Sequence, residues 1–192
     1  MTGTAARAGG VLSINLKAIQ QNYLTVRQQV SPAECAASVK ADAYGLGMAE
    51  VAAALWAAGC RTFFVALPEE GKRLRAILRD ARIYVLDGLF AGEAAFYANH
   101  GLRPVLSQIE EIEEWARWCR DKTRKLPAGL HVETGINRLG LDADQVKAIA
   151  AKQDLLAQFE PCLIMSHLAK ADEPDDPLNA LQRRRFEVLR AV

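Results

Sequence analysis

Six short apolar runs, each followed by a helix-patterned stretch, constrain this chain more than any other feature of it. They fall at residues 35–40, 62–66, 83–86, 103–106, 129–133 and 162–167. Strand-length runs alternating with longer amphipathic ones specify a parallel sheet covered by helices, because parallel neighbours need a crossover between them. The intervening helices are marked by their ends. One at 48–58 stops at Gly59, one opens at Pro68 with Glu69 and Glu70 in its first turn, and one at 108–122 carries Ile109, Ile112, Trp115, Trp118 and Cys119 on one face. Asp142 or Asp144 is positioned to cap a helix running to about Phe159, and a last helix covers 179–192. Ahead of the repeat, residues 11–16 read as a short strand and 17–30 as a helix ended by Ser31-Pro32. The nucleotide-binding version of such a sheet lacks its signature. Gly45 and Gly47 are followed by Met48, Ala49 and Glu50, and no Gly-Lys-Ser/Thr loop occurs. The expected fold is therefore α/β, a parallel (β/α) TIM-type barrel truncated to about six of eight units, since a complete barrel takes about 250 residues.

Bulk composition narrows the partners. With 192 residues and 51% hydrophobic content the chain can bury one core. Its 24 basic and 23 acidic residues leave a formal net charge of +1, too little field to attract nucleic acid or an anionic membrane. No apolar run reaches the roughly 18 residues of a membrane span. Cys35, Cys60, Cys119 and Cys162 are widely spaced without metal-ligand or Cys-x-x-Cys patterning, and read as reduced, buried thiols. The expectation is a cytoplasmic protein that handles a small soluble molecule, with residues 1–10 a disordered tail and 11–192 the partial barrel. The basic run Arg183-Arg184-Arg185 reads as a solvated face beside the apolar Phe186 and Leu189.

Barrel chemistry gathers at the C-terminal ends of the strands. Lys40 ends the first repeating run behind Ala36 and Ser38, with which it shares a face. A lysine delivered into a partly dry site loses some preference for its charged form, and a neutral amine can form a Schiff base with an aldehyde or move a proton. A strand-end lysine that snorkels into water explains the same residues. Arg138, in the loop Thr134-Gly135-Ile136-Asn137-Arg138-Leu139-Gly140, suits a carboxylate or phenolate, or is a plain surface arginine. His167 is able to face a flat cofactor or to be a satisfied structural residue. Tyr44 offers a hydroxyl beside Gly45 and Gly47, whose amides are candidates to approach a phosphate at the next helix; a turn with a packed tyrosine is the alternative. His131 and Glu133 lack a third partner for a metal and read as a hydrogen-bonded support.

Three motifs occur in order: Val39-Lys40-Ala41-Asp42-Ala43-Tyr44-Gly45, Glu133-Thr134-Gly135-Ile136-Asn137-Arg138-Leu139-Gly140, and Met165-Ser166-His167-Leu168-Ala169. On these the chain, from about Val11 onward, resembles the N-terminal barrel of the pyridoxal-phosphate-dependent alanine racemases. The resemblance implies that Lys40 binds the cofactor covalently and exchanges the α-proton on one face. It further implies that Tyr44 helps hold the phosphate, that Arg138 lies near the cofactor's phenolic oxygen and the substrate carboxylate, and that His167 packs on the pyridine ring. Two departures stand out. Leu46 replaces a frequent histidine, and His131 replaces a lysine that braces the arginine as a carbamate, leaving Asn137, His131 or a bound anion to hold Arg138. The family's last two barrel units and its β-rich C-terminal domain, with the second base contributed across a dimer, have no counterpart in these 192 residues. The implied function is interconversion of L- and D-alanine in a parent protein that supplies D-alanine for the cell wall, as a homodimer or other self-association. This chain carries the cofactor-lysine half and is inactive alone. A non-catalytic pyridoxal-phosphate-binding or self-associating module is the alternative, and a related amino-acid reaction such as decarboxylation is a third.

Overall fold

The computed structural model describes residues 9–192. Only Gly9 and Gly10 of the expected N-terminal tail belong to that range, and both are exposed; residues 1–8 lie outside it. Six parallel strands pair in chain order: β1 (Ala37–Ser38), β2 (Thr62–Val65), β3 (Arg82–Val85), β4 (Leu102–Leu106), β5 (Pro127–His131) and β6 (Glu160–Met165). The helices are α1 (Leu16–Gln29), α3 (Met48–Ala57), α4 (Pro68–Ile77), α5 (Ala94–His100), α6 (Ile109–Asp121), α7 (Ala143–Ala150), α8 (Gln153–Leu156) and α9 (Pro177–Leu189). Between β1 and α3 lies a single turn, α2 (Lys40–Tyr44), of opposite hand.

The sheet curls. Strands three places apart in a flat sheet stand roughly 14 Å from each other, yet the Tyr84 hydroxyl on β3 and the Cys162 thiol on β6 are 3.2 Å apart. Register aligns Ser38, Phe64, Tyr84 and Arg103 in one row across β1 to β4. Phe64 stacks on Tyr84 at 5.2 Å and the Arg103 guanidinium lies over the Tyr84 ring at 5.4 Å, which makes this row the concave face. Alternate residues point outward under the helices, where Phe63, Val65, Leu74, Ile83, Tyr97, Leu106, Ile112 and Trp115 form a fully buried core. Burying a large apolar side chain contributes roughly 1.5–3 kcal/mol. On α6 the buried positions are Ile112, Trp115, Ala116 and Cys119, the one-stripe spacing of an amphipathic helix. The result is a partial (β/α) barrel whose sheet is open between β6 and β1.

Several expectations need correction. Residues 11–15 form no strand: they have no sheet neighbour, leaving Val11 and Leu12 exposed, and Asn15 caps α1 by accepting the Ala18 N–H at 3.1 Å. The first repeating strand is two residues long, not six, because the chain turns left-handed after Val39. The helix after Asp142 is broken at Lys152, which leaves helical geometry between α7 and α8. Cys35 is half-buried, Cys60 and Cys119 are buried, and Cys162 is exposed because β6 is an edge strand. All four are free thiols.

Candidate active site

The turn that follows β1 sets the position of Lys40. Ala41, Asp42, Ala43 and Tyr44 all have φ between 50° and 56°. Left-handed helical geometry costs an L-residue roughly 1–2 kcal/mol, and four in succession require compensation from the surroundings. Part is internal: the Ala43 N–H donates to Val39 O and the Gly45 N–H to Ala41 O, each at 2.9 Å. Part comes from Asp42, whose side chain accepts the Met48 N–H at 2.9 Å and so caps α3. The rest comes from α4. Glu70, only 7% exposed, accepts the Ala41 N–H through Oε1 at 2.7 Å, and through Oε2 the N–H groups of Ala66 at 2.8 Å and Leu67 at 3.1 Å.

Lys40 emerges from this turn half-buried, its Nζ 6.0 Å from the centre of the exposed Tyr44 ring. The Tyr44 hydroxyl is 3.4 Å from Ser38 Oγ. The expected phosphate cradle at Gly45 and Gly47 is absent. The Gly45 and Gly47 N–H groups donate to Ala41 O and Asp42 O, Met48 N–H is taken by Asp42, and the Glu50 carboxylate sits against Gly47. Those amides are already satisfied within the turn, and two carboxylates guard the helix start.

On the far side of the mouth the loop after β5 folds around Glu133. Its carboxylate accepts the Gly135 N–H and, at 2.9 Å, the Asn137 N–H. Burial pushes Glu133 up, but these donors outweigh it and hold the carboxyl below the usual range. Gly135 and Asn137 occupy positive φ, which lets the loop close so tightly. Arg138 stands exposed at its tip. His131, by contrast, makes no hydrogen bond to Glu133: it is 5% exposed and its Nε2 is buried without a partner. Of the expected His131–Glu133 support, Glu133 alone braces the loop.

His167 lies two residues beyond β6 and is exposed. Although the residue as a whole is exposed, partial desolvation of its ring lowers its pKa, and so do the charges of Arg138 and Lys40; His131 is lowered by burial and by His167 and Arg138, against the opposing pull of Glu133. His167 thus lies within electrostatic reach of Lys40, Arg138 and His131, and His131 within reach of Arg138. Tyr44 joins them through its ring beside Lys40. Such a set favours an anion bearing a flat π-system, with a half-buried amine open to an electrophile.

Gln182 is the residue that sequence reasoning missed. It is 1% exposed on α9 and joins both loops. Its Nε2 donates to His167 O at 2.9 Å and to Thr134 Oγ1 at 3.1 Å, while its Oε1 accepts the Ala169 N–H at 2.8 Å. Thr134 Oγ1 and Ser166 Oγ are 2.7 Å apart, and Arg185 donates to Thr134 O at 3.0 Å, so Arg185 is no mere solvated charge. A signal existed: Gln182, Phe186 and Leu189 share i, i+4, i+7 spacing, which puts a polar residue on an apolar stripe. Beside it, a cavity of about 620 Å³ opens along β6, lined by Met165, His167, Leu168 and Phe186 among others.

Known proteins match this chain in sequence and fold. A family model described as alanine racemase, N-terminal domain, matches residues 14–192. The alanine racemase of Methylobacterium nodulans is 48% identical over 190 residues, 99% of this chain and 51% of its own length. That of Rhodospirillum rubrum is 47% identical over 186 residues, 96% of this chain and 50% of its own. In solved structures, alanine racemase from Bartonella henselae with covalently bound pyridoxal phosphate superposes with a TM-score of 0.89 at 39% identity. The match covers 93% of this chain and 52% of that one. Biosynthetic alanine racemase from Pseudomonas aeruginosa gives 0.81 at 33% identity, covering 91% and 48%. The chain spans about half the length of these relatives. A shared sequence over nearly all of this chain, together with a shared curl of six parallel strands, makes it a member of the alanine racemase family, corresponding to the family's N-terminal domain.

Proposed function

We propose that this chain provides the cofactor-lysine half of a site that interconverts L- and D-alanine with pyridoxal 5'-phosphate. What supports the reading is that Lys40, Arg138 and His167 follow the C-terminal ends of β1, β5 and β6, and so belong to the same mouth of the partial barrel. The donor set fits the cofactor: an amine for its aldehyde, cations for its anionic groups, and a histidine ring for its heterocycle. When bound, pyridoxal phosphate supplies the conjugated system over which the charge left by a departing α-proton is spread.

The chain's own residues account for the rest. Lys40 Nζ would hold the cofactor covalently and, as a free amine, would take or return the α-proton on one face. Arg138 keeps a permanent positive charge against the substrate carboxylate and the phenolic oxygen. His167, favoured as neutral imidazole by burial and its cationic neighbours, packs without adding another charge. The Tyr44 hydroxyl is left to help hold the phosphate. Proton exchange on the opposite face is assigned to the other half of the relatives' length. Residues 11–192 then act as one partial barrel in a cytoplasmic dimer that supplies D-alanine for cell-wall precursors. Among the described residues no helix is long and apolar enough to cross a membrane.

The test is borohydride reduction of the chain after mixing with pyridoxal phosphate, followed by peptide mapping. The label should fall on Lys40, with a visible absorption band that Lys40→Ala abolishes. A label spread evenly over exposed lysines would overturn the cofactor assignment. Formation of D-alanine from L-alanine at enzymatic rates by this chain alone would overturn the division of the site into halves.

A further inference from the structure

We propose that Glu70 is a positioning residue for Lys40: its buried carboxylate holds the left-handed turn from which the lysine emerges. The inference rests on the reading of Lys40 as the cofactor lysine. Its basis is geometric. Lys40–Tyr44 departs from the backbone geometry its residues prefer, at four consecutive positions and without a glycine among them. The first of these, Ala41, directly follows Lys40, and its N–H ends on Glu70 Oε1 at 2.7 Å. The other carboxylate oxygen is fixed by the Ala66 and Leu67 N–H groups at the end of β2. One side chain therefore ties the turn after β1 to the loop after β2. A carboxylate is the group for this task, since both oxygens accept and three N–H donors converge on it.

The barrel contains the same device a second time, away from Lys40. Glu111 occupies the third position of α6 as Glu70 does of α4. It accepts the Ser107 N–H at 2.7 Å and its carboxylate sits against Gly88, so it joins the loop after β4 to the loop after β3. Two units apart, each clamp holds a neighbouring strand's exit, and only Glu70's holds an exit that carries an amine. The Glu111 clamp thereby supplies an internal control: its loss frees a loop of the same barrel without touching the Lys40 turn.

Glu70→Gln, Glu70→Ala and Glu111→Gln should be compared with the wild-type chain by residue-resolved amide hydrogen exchange and by borohydride-fixed labelling with pyridoxal phosphate. Lys147, whose side chain is 66% exposed, serves as the reference amine. In Glu70→Gln the amide can accept on one side only and presents N–H to N–H on the other. Exchange at Ala41 to Tyr44 should speed at least tenfold, and labelling of Lys40 relative to Lys147 should fall at least tenfold. Glu111→Gln should speed exchange at Ser107 and leave the Lys40 labelling ratio within twofold of wild type. Should Glu70→Ala fail to fold, Glu70→Gln decides. Unchanged exchange at Ala41 in Glu70→Gln, or an equal loss of Lys40 labelling in Glu111→Gln, overturns the assignment. If wild-type Lys40 labels no faster than Lys147, the cofactor reading falls, and exchange at Ala41 to Tyr44 alone then supports or overturns the positioning role.

Discussion

At the β1–β2 side of the mouth, the backbone that carries Lys40 is held from a distance: Ala41 and Glu70 are separated by 29 residues of sequence. At the β5–β6 side, the loop that carries Arg138 closes on Glu133, which lies within four residues of both backbone donors it accepts. The first arrangement forces unfavourable geometry on ordinary residues and anchors it through a buried group on another helix. The second uses residues suited to positive φ, Gly135, Asn137 and Gly140, and a half-exposed carboxylate. Lys40 is therefore placed only when α4 has docked on the sheet, whereas the Arg138 loop carries much of its own order and depends on α9 for its attachment. The backbone behind Lys40 is thus anchored from another helix, and Arg138 sits on a loop folded by its own neighbours.

The strongest way to break the β5–β6 side is at Gly140. A Cβ there would stand 2.8 Å from the Glu133 nitrogen and 2.9 Å from the Val132 carbonyl carbon, both backbone atoms that cannot swing aside, and φ is 114°. Gly140→Ala should cost on the order of 3 kcal/mol in urea unfolding. A loss below about 0.5 kcal/mol would show that the loop is not closed as described. Next comes Gln182. Its removal leaves the Ala169 N–H without an acceptor and takes a donor from Thr134 and from the His167 carbonyl. Gln182→Ala should cost about 2 kcal/mol and loosen the Thr134 and His167 loops together. Loosening of only one would mean that α9 does not couple them.

The same contrast explains what was legible in the residues. Strand-helix alternation exposed five of the six strands to within a residue or two, because period and length are local properties. The first strand was overextended. Nothing in Val39-Lys40-Ala41-Asp42-Ala43-Tyr44 announces a left-handed turn, since no glycine or asparagine occupies the strained positions and the clamp that imposes it lies in another helix. The Arg138 loop was readable as a tight turn from its own glycines. Its brace was half readable: Glu133 was visible, but its partners turned out to be backbone N–H groups rather than His131. Gly45 and Gly47 suggested a phosphate cradle, and only the hydrogen bonds reveal that Asp42 and the turn itself already use those amides. Glu70 stood in plain view as a first-turn acid, a position ordinarily explained by the helix dipole. Its reach back to Ala41 is a tertiary fact.

A smaller effect sharpens the comparison through pH. His131 and His167 bind protons less readily when folded, first because of burial and then because Arg138 stands near both and Lys40 near His167. The unfolded chain, whose histidines titrate near ~6.5, then binds more protons than the folded one. A destabilisation is absent above that range, grows as pH falls through it, and levels off once the folded histidines also protonate. Glu133 adds a second step of the same sign. Its carboxyl is held low by the loop amides, so its stabilisation is present above the ordinary glutamate value of ~4.3 and is lost as pH falls through the lower folded value. Ring-proton NMR of the chain's three histidines follows the upper step directly. Arg138→Gln removes a cation that both rings feel and should move the His131 and His167 midpoints upward, while Glu133→Gln should erase the lower step in hydrogen exchange at Gly135 to Arg138. Midpoints for His131 and His167 that ignore Arg138→Gln would mean the guanidinium does not stand over the mouth. In that case the β5–β6 side would be a folded loop next to the lysine and no part of its electrostatics.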